Sequence, residues 1–313
     1  MSTPAASSSI NGGALRLPDW AVLRARGPDS GTFLQSQLTQ DVLGLSKDRV
    51  RLSGYCTAKG RLLASLWVWR IADDGFGLLC SADLAAPLLK RLSMYVLRAK
   101  CKLDDASAEL TVWGLAGAAA VQWLGDAAVA PGRTALRDVA WLLGLPSAEG
   151  QARHLLVQPA QAAAPALPPL DQSLWRRLEV TSGVPRITAA TVERFVPQMI
   201  NLERVGGVDF QKGCYPGQEV VARSQYRGTL KRRMHLFATD AAAQAGQELF
   251  HSDDPTQPAG MVVNAASDAS GTRLLAEVKL AALDSGSLHL VTAEGPVLRR
   301  LDLPYSIADL ADA

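Results

Sequence analysis

The apolar positions alternate between two periods along the chain. Residues 20–26 read as a short strand. A helix then starts at Pro28-Asp29, with Asp29 as its N-cap and Phe33, Leu34 and Leu38 on one face. The other side of that helix carries Gln35, Gln37, Thr39, Gln40 and Asp41. Amides without lysines suit either hydrogen bonding to something other than water or a plain solvated face. Val50 to Tyr55, Leu62 to Ile71 and Phe76 to Cys80 read as a β meander, turned at Thr57-Ala58-Lys59-Gly60 and Asp73-Asp74-Gly75. Ser81 then opens a helix with Leu84, Leu88, Leu92, Tyr95 and Val96 at helical spacing, and Arg98 to Leu103 forms another strand.

Residues 108–160 keep a strand, helix, strand texture, with Glu109 to Trp113 extended and Gly117 to Gly125 an Ala-rich helix. Residues 159–169 hold only Ala, Gln, Leu and Pro and read as a loop. Asp171 caps a helix through Leu174, Trp175 and Leu178 that Gly183 and Pro185 stop. From about residue 230, short strands separated by Gly, Asp and Ser turns predict a small all-β unit. Strands that come as hairpins before a helix argue for an α+β class rather than a doubly wound sheet.

Composition narrows the picture. The chain has 313 residues, 32 Lys and Arg against 30 Asp and Glu, and four cysteines at 56, 80, 101 and 214. A net charge of +2 argues against a histone-like protein and against an acidic disordered one. Four cysteines with no C-x-x-C give no disulfide scaffold, zinc ribbon or protein-held cluster pattern, so no metal site is expected and a reducing cytoplasmic setting fits. The first 13 residues have no basic start and no apolar stretch, and read as a disordered tail. No run of 18 apolar residues predicts a membrane span.

The chemistry concentrates in Phe210-Gln211-Lys212-Gly213-Cys214-Tyr215-Pro216-Gly217-Gln218-Glu219. An apolar-periodic run follows from Gln218. A glycine-bearing loop that feeds a helix, with Lys212 two residues from Cys214, favours a thiolate there. The competing reading is a small buried cysteine. From Lys212 to Arg233 six basic residues, among them Arg223, Arg227, Arg232 and Arg233, face one acid, Glu219. That window of net +5 is either a plain solvated face or a site for an anion: a small ligand, nucleic acid or an acidic protein face. Few aromatics interleave it, so a small anionic ligand is favoured over nucleic acid.

The octapeptide Lys212 to Glu219 resembles the motif of the YgfZ family, folate-binding proteins of iron–sulfur cluster assembly or repair that are related to the glycine-cleavage T protein. The resemblance runs along nearly the whole chain. It includes Leu17-Pro18-Asp19-Trp20, Phe33 to Asp41, Thr57-Ala58-Lys59-Gly60-Arg61, Glu179 to Pro185, Phe195 to Leu202 and Leu303-Pro304-Tyr305-Ser306. It implies a T-protein-like ring of two α+β domains and a C-terminal β-barrel. The expected bounds are 14–47 with 108–229 for the first domain, 48–107 for the second and 230–313 for the barrel.

The resemblance further implies tetrahydrofolate in a central hole, near Trp20, Glu179, Trp175, Arg223 and Arg227, with Glu179 as the acid that holds the pterin. Trp175 lies two residues from the family position, which Ser173 occupies, and two residues turn a helix face by about 200°. Cys214 and Lys212 are the implied catalytic pair, with Gly213, Tyr215, Gly217, Gln218 and Glu219 as their motif. Ala64 and Ser65 stand where T proteins carry an Asp pair, so no aminomethyl transfer is expected.

The function implied is a tetrahydrofolate-binding accessory factor for iron–sulfur proteins, such as radical-SAM tRNA-modifying enzymes. A folate-dependent one-carbon transferase and a tRNA-binding module are the alternatives. A monomer is expected.

Overall fold

A computed structural model describes residues 11–226 and 230–307. In chain order the elements are β1 (Gly13–Arg16), β2 (Trp20–Arg26), α1 (Ser30–Gln35), β3 (Val50–Cys56), β4 (Leu62–Ala72), β5 (Gly75–Ser81), α2 (Ala85–Val96), β6 (Lys102–Asp105), β7 (Leu110–Ala116) and α3 (Gly117–Leu124). They continue with β8 (Thr134–Arg137), β9 (Ala140–Ala148), β10 (Gln151–Pro159), α4 (Gln172–Thr181) and α5 (Gln218–Tyr226). The last strands are β11 (Arg232–Thr239), β12 (Glu248–His251), β13 (Gly260–Asp268), β14 (Gly271–Lys279), β15 (Leu288–Leu290) and β16 (Val297–Leu301).

The strands form three antiparallel groups. One sheet runs β1-β7-β10-β9-β8, a second runs β3-β4-β5-β2-β6, and β11-β14-β13-β12-β15-β16 closes into a barrel. The first barrel strand begins at Arg232, close to the texture change near residue 230. The boundary expected at residue 47 is different. β2 pairs with β5 from Trp20↔Ser81 to Arg26↔Gly75 and with β6, so residues 20–26 belong to the second sheet. Long-range pairing overrode the order of elements in the chain. The tail is also shorter than expected: Asn11 accepts a bond from Ala119 N, and β1 begins at Gly13. Residues 1–10 lie outside the described residues.

Local chemistry accounts for the elements. Asp171 caps α4 by accepting from Leu174 N at 3.0 Å, as its position in the sequence predicts. α1 is shorter than its apolar spacing predicts. Gln35 ends it because its side-chain oxygen accepts from Val42 N at 2.6 Å and folds the chain back. The amide-rich segment is turned inward. Thr39 Oγ1 donates to Gly207 O and Gln40 Nε2 to Gly206 O, each at 2.6 Å.

One apolar core serves both sheets, α4 and an edge of the barrel. It runs from Leu23, Leu66 and Trp69 through Leu155, Leu178 and Ile187 to Met234, Val263 and Leu275. Trp69 on β4 meets Trp141 on β9 with ring centroids 6.4 Å apart. A smaller cluster around Phe237, Val262 and Leu274 belongs to the barrel alone. Among the described residues no helix is long and apolar enough to cross a membrane.

Candidate functional site

All three strand groups contribute walls to a cavity of about 250 Å³. Trp20 opens β2, Ser65 and Trp67 come from β4, Arg153 from β10, Glu179 from α4 and Asn264 from β13. The pairing register of β13 against β14 shifts between Val262 and Asn264, which re-aims the strand there. Asn264 then clasps the backbone of Arg186, accepting from its N–H at 2.9 Å and donating to its carbonyl at 2.8 Å.

Charges cross-brace one side of this cavity. Arg176 Nη1 donates to Asp19 Oδ2 at 2.6 Å and to Glu179 Oε2 at 3.0 Å. Arg186 bonds Asp19 as well and reaches Glu179 Oε1 at 3.5 Å. Its guanidinium also lies 4.4 Å from the centroid of the Trp20 ring. Burial alone would raise the Asp19 carboxyl, but its bonds to Arg176 and Arg186 hold it down at about 2. Burial lowers the Arg153 guanidinium to about 10, against the pull of Glu179.

Of the residues that the sequence singles out, Trp20 and Glu179 thus meet in one cavity. Trp175 does not line it. It is fully buried, against Gly114, where a Cβ would stand 2.8 Å from the indole, and Arg153 covers its ring at 5.5 Å. It is a core residue that backs the cavity's arginine. Of the two positions that replace the Asp pair, Ala64 is fully buried. Ser65 faces the cavity, with its Oγ accepting from Ile187 N at 3.0 Å. Asp19, Arg153, Arg176, Arg186 and Asn264 went unnoticed in the sequence. Only the Arg176-x-x-Glu179 spacing, one helical face, was a readable sign.

The Lys212–Glu219 motif is elsewhere; none of its residues lines the cavity. Asp209 Oδ1 gathers the backbone N–H groups of Gln211 at 2.8 Å and Lys212 at 3.1 Å. Lys212 Nζ donates to Leu38 O at 2.6 Å and to Gln35 O. Its ammonium also lies 5.0 Å from the centroid of the buried Tyr215 ring. Burial pulls the amine down to about 8, against the pull of Asp41 and Asp209. Lys212 thus spends its hydrogen bonds on α1 and the turn after it.

Gly217 has φ +81°, and a Cβ there would stand 2.4 Å from Thr57 O, so only glycine lets α5 seat on the β3–β4 turn. Gln198 Nε2 anchors that helix by donating to Val221 O at 2.8 Å. Gln218 Nε2 reaches Lys212 O at 3.5 Å, while Glu219 and Arg223 are exposed.

Cys214 is exposed and Gly213 beside it stands in open space, so the buried alternative for this thiol does not hold. Cys56 and Cys80 are buried, and burial pushes both thiols up to about 12. The net +5 window is less available than its count suggests. Arg232 Nη1 binds both carboxylate oxygens of Glu277 at 2.8 and 2.9 Å, and Arg233 pairs with Glu203 inside the fold. Arg227 lies outside the described residues. No group of three or more His, Cys, Asp or Glu among the described residues could hold a metal ion.

No family model matches the chain. Among curated proteins, it is 32% identical to the tRNA-modifying protein YgfZ of Klebsiella pneumoniae, over 98% of this chain and 97% of that one. It is 33% identical to the protein of the same name from Edwardsiella ictaluri, over 93% and 92%. Among solved structures, the glycine cleavage system aminomethyltransferase T of Bartonella henselae superposes with a TM-score of 0.74. That match covers 96% of this chain and 87% of the other at 15% identity, and it shows the T-protein fold. Identity at this level along nearly the full length, on that fold, means that the chain belongs to the YgfZ family.

Proposed function

We propose that the protein binds tetrahydrofolate in the three-walled cavity and acts as an accessory factor for assembly or repair of iron–sulfur proteins, including those that modify tRNA. The observation that carries this reading is the meeting of Trp20 and Glu179, far apart in the chain, in one cavity. About 250 Å³ suits a bicyclic ring, while a longer tail has to leave through the opening. The apolar face of a tryptophan beside carboxylates fits a flat heterocycle with an N–H edge. When bound, tetrahydrofolate supplies a carrier for one-carbon units.

The chain's own residues orient that ring and shield it. A transferase reading is weaker, because Ser65 offers the cavity a hydroxyl already engaged by Ile187 N rather than a free carboxylate. The tRNA-binding reading is weaker too, because Arg232 and Arg233 are held in ion pairs. Cys214, exposed on its loop, is the proposed reactive group toward the client proteins.

Titration of the purified protein with tetrahydrofolate, followed by tryptophan fluorescence, tests the binding claim. The expected result is a saturable change in the wild type that needs at least about tenfold more ligand in Trp20→Ala. A wild-type signal that does not saturate overturns the reading.

A further inference from the structure

Three buried side-chain atoms at the cavity have no hydrogen-bond partner among the described residues: Arg153 Nη1, Asp19 Oδ1 and Trp20 Nε1. Buried polar groups are nearly always paired, and an unpaired one destabilises the fold. Three such atoms in one cavity point to a ligand that completes them.

Their surroundings fix what each can do. Arg153 is 3% exposed. Its Nε is committed to Pro146 O at 3.1 Å and its plane rests on Trp175, while Nη1 is a buried donor without a partner among the described residues. Asp19 commits Oδ2 to Arg176 and Arg186 and keeps Oδ1 as a spare acceptor. Glu179, by contrast, has both oxygens engaged, Oε2 by Arg176 at 3.0 Å and Oε1 by Arg186 at 3.5 Å.

Resting on the folate reading above, we propose that Asp19 rather than Glu179 accepts the ligand's N–H edge, and that Arg153 is the specificity residue that donates to its ring acceptor. Glu179 then serves to position the two arginines that hold Asp19. A 2-amino-4-oxo ring presents an N–H edge next to a carbonyl oxygen and satisfies both. A 2,4-diamino ring keeps the 2-amino N–H that Asp19 Oδ1 can accept, but it loses the N–H at ring position 3 and presents a donor where the carbonyl was. That donor faces Arg153, which has none of its own acceptors to offer. The cavity therefore discriminates at position 4 of the heterocycle.

The test compares folic acid with aminopterin, the same molecule with a 4-amino group in place of the 4-oxo, by tryptophan fluorescence at pH 8. At that pH Asp19 and Arg153 are both ionised. The wild type is expected to bind folic acid at least about tenfold more tightly than aminopterin. In Arg153→Met the ratio falls below about threefold, while Asp19→Asn weakens both ligands alike by about tenfold or more.

Equal wild-type affinities overturn the Arg153 assignment even if the Met variant does not fold. A ratio that survives in a folded Arg153→Met overturns it as well. Unchanged affinities in Asp19→Asn return the acid's role to Glu179. If neither compound binds a wild type that does bind tetrahydrofolate, this proposal fails and the folate reading stands; if tetrahydrofolate does not bind either, both fail.

Discussion

Lys212 and Cys214 sit two residues apart and do opposite things. The lysine amine is folded under α1, satisfying the carbonyls of Gln35 and Leu38, whereas the thiol is exposed. Lys212→Ala leaves two carbonyls without their donor and is expected to cost about 1–3 kcal/mol in urea denaturation. Cys214→Ala removes no buried contact and is expected to stay within about 0.5 kcal/mol of wild type. It should nevertheless fail to restore iron–sulfur enzyme activity in a strain lacking the protein. Full restoration by Cys214→Ala would remove the thiol from the function, and an unchanged stability in Lys212→Ala would return the lysine to it.

At this scale the sequence was legible where a motif marked it. Trp20 and Glu179 were named from the resemblance and lie together. Asp19 and Arg153 were not, because nothing in an Asp before a Trp, or an Arg before a His, tells that one of its polar atoms ends without a partner. That property exists only after three elements have closed around it.

The barrel shows how an element carries its own pH dependence. His235 on β11 is 3% exposed, and burial, with Arg300 and Arg233 nearby, lowers its imidazole from 6.5 to about 4. The unfolded chain takes up this proton near pH 6.5 and the folded one only near pH 4. Stability therefore falls as pH drops through that window, by at most about 3 kcal/mol from this residue. Guanidinium unfolding at pH 7 and pH 4.5 checks this. In His235→Leu the loss between the two pH values should shrink by a comparable amount, and an undiminished loss would show that other groups titrate there.

Elements were readable where one period held. β4, β5 and α4 match their apolar patterns closely. β9 and β10 blurred into a single strand texture because Gly144 and Pro146 break the run and both strands bury most of their length. β12, at four residues, was too short to show a period.

At the scale of the molecule, the sheets and the barrel edge share one core, and Arg177 on α4 binds both Glu149, beyond β9, and Asp268 in the barrel. Such a core should melt as a unit. The tryptophans make this measurable, since all seven lie between residues 20 and 175 and none in the barrel. Unfolding followed by tryptophan fluorescence and by far-UV circular dichroism is expected to give coincident midpoints. A second dichroism transition without a fluorescence counterpart would mean that the barrel unfolds alone. The three-unit architecture was legible from the resemblance and the change of texture near residue 230. The true partner of β2 was not, because strand pairing across fifty residues of chain leaves no mark in local pattern.

The divided wall of the cavity also has a consequence in time. Its residues run from Asp19 to Ala265. Synthesis proceeds from the N-terminus and domains fold largely as they emerge. The first two sheets are thus available well before the barrel strand that carries Asn264 leaves the ribosome. Until that strand docks, Arg186 lacks the clasp that fixes its backbone. A chain that ends before β13 has Asp19, Trp20, Arg153 and Glu179 already in place, but its cavity lacks the wall that Asn264 and Ala265 supply.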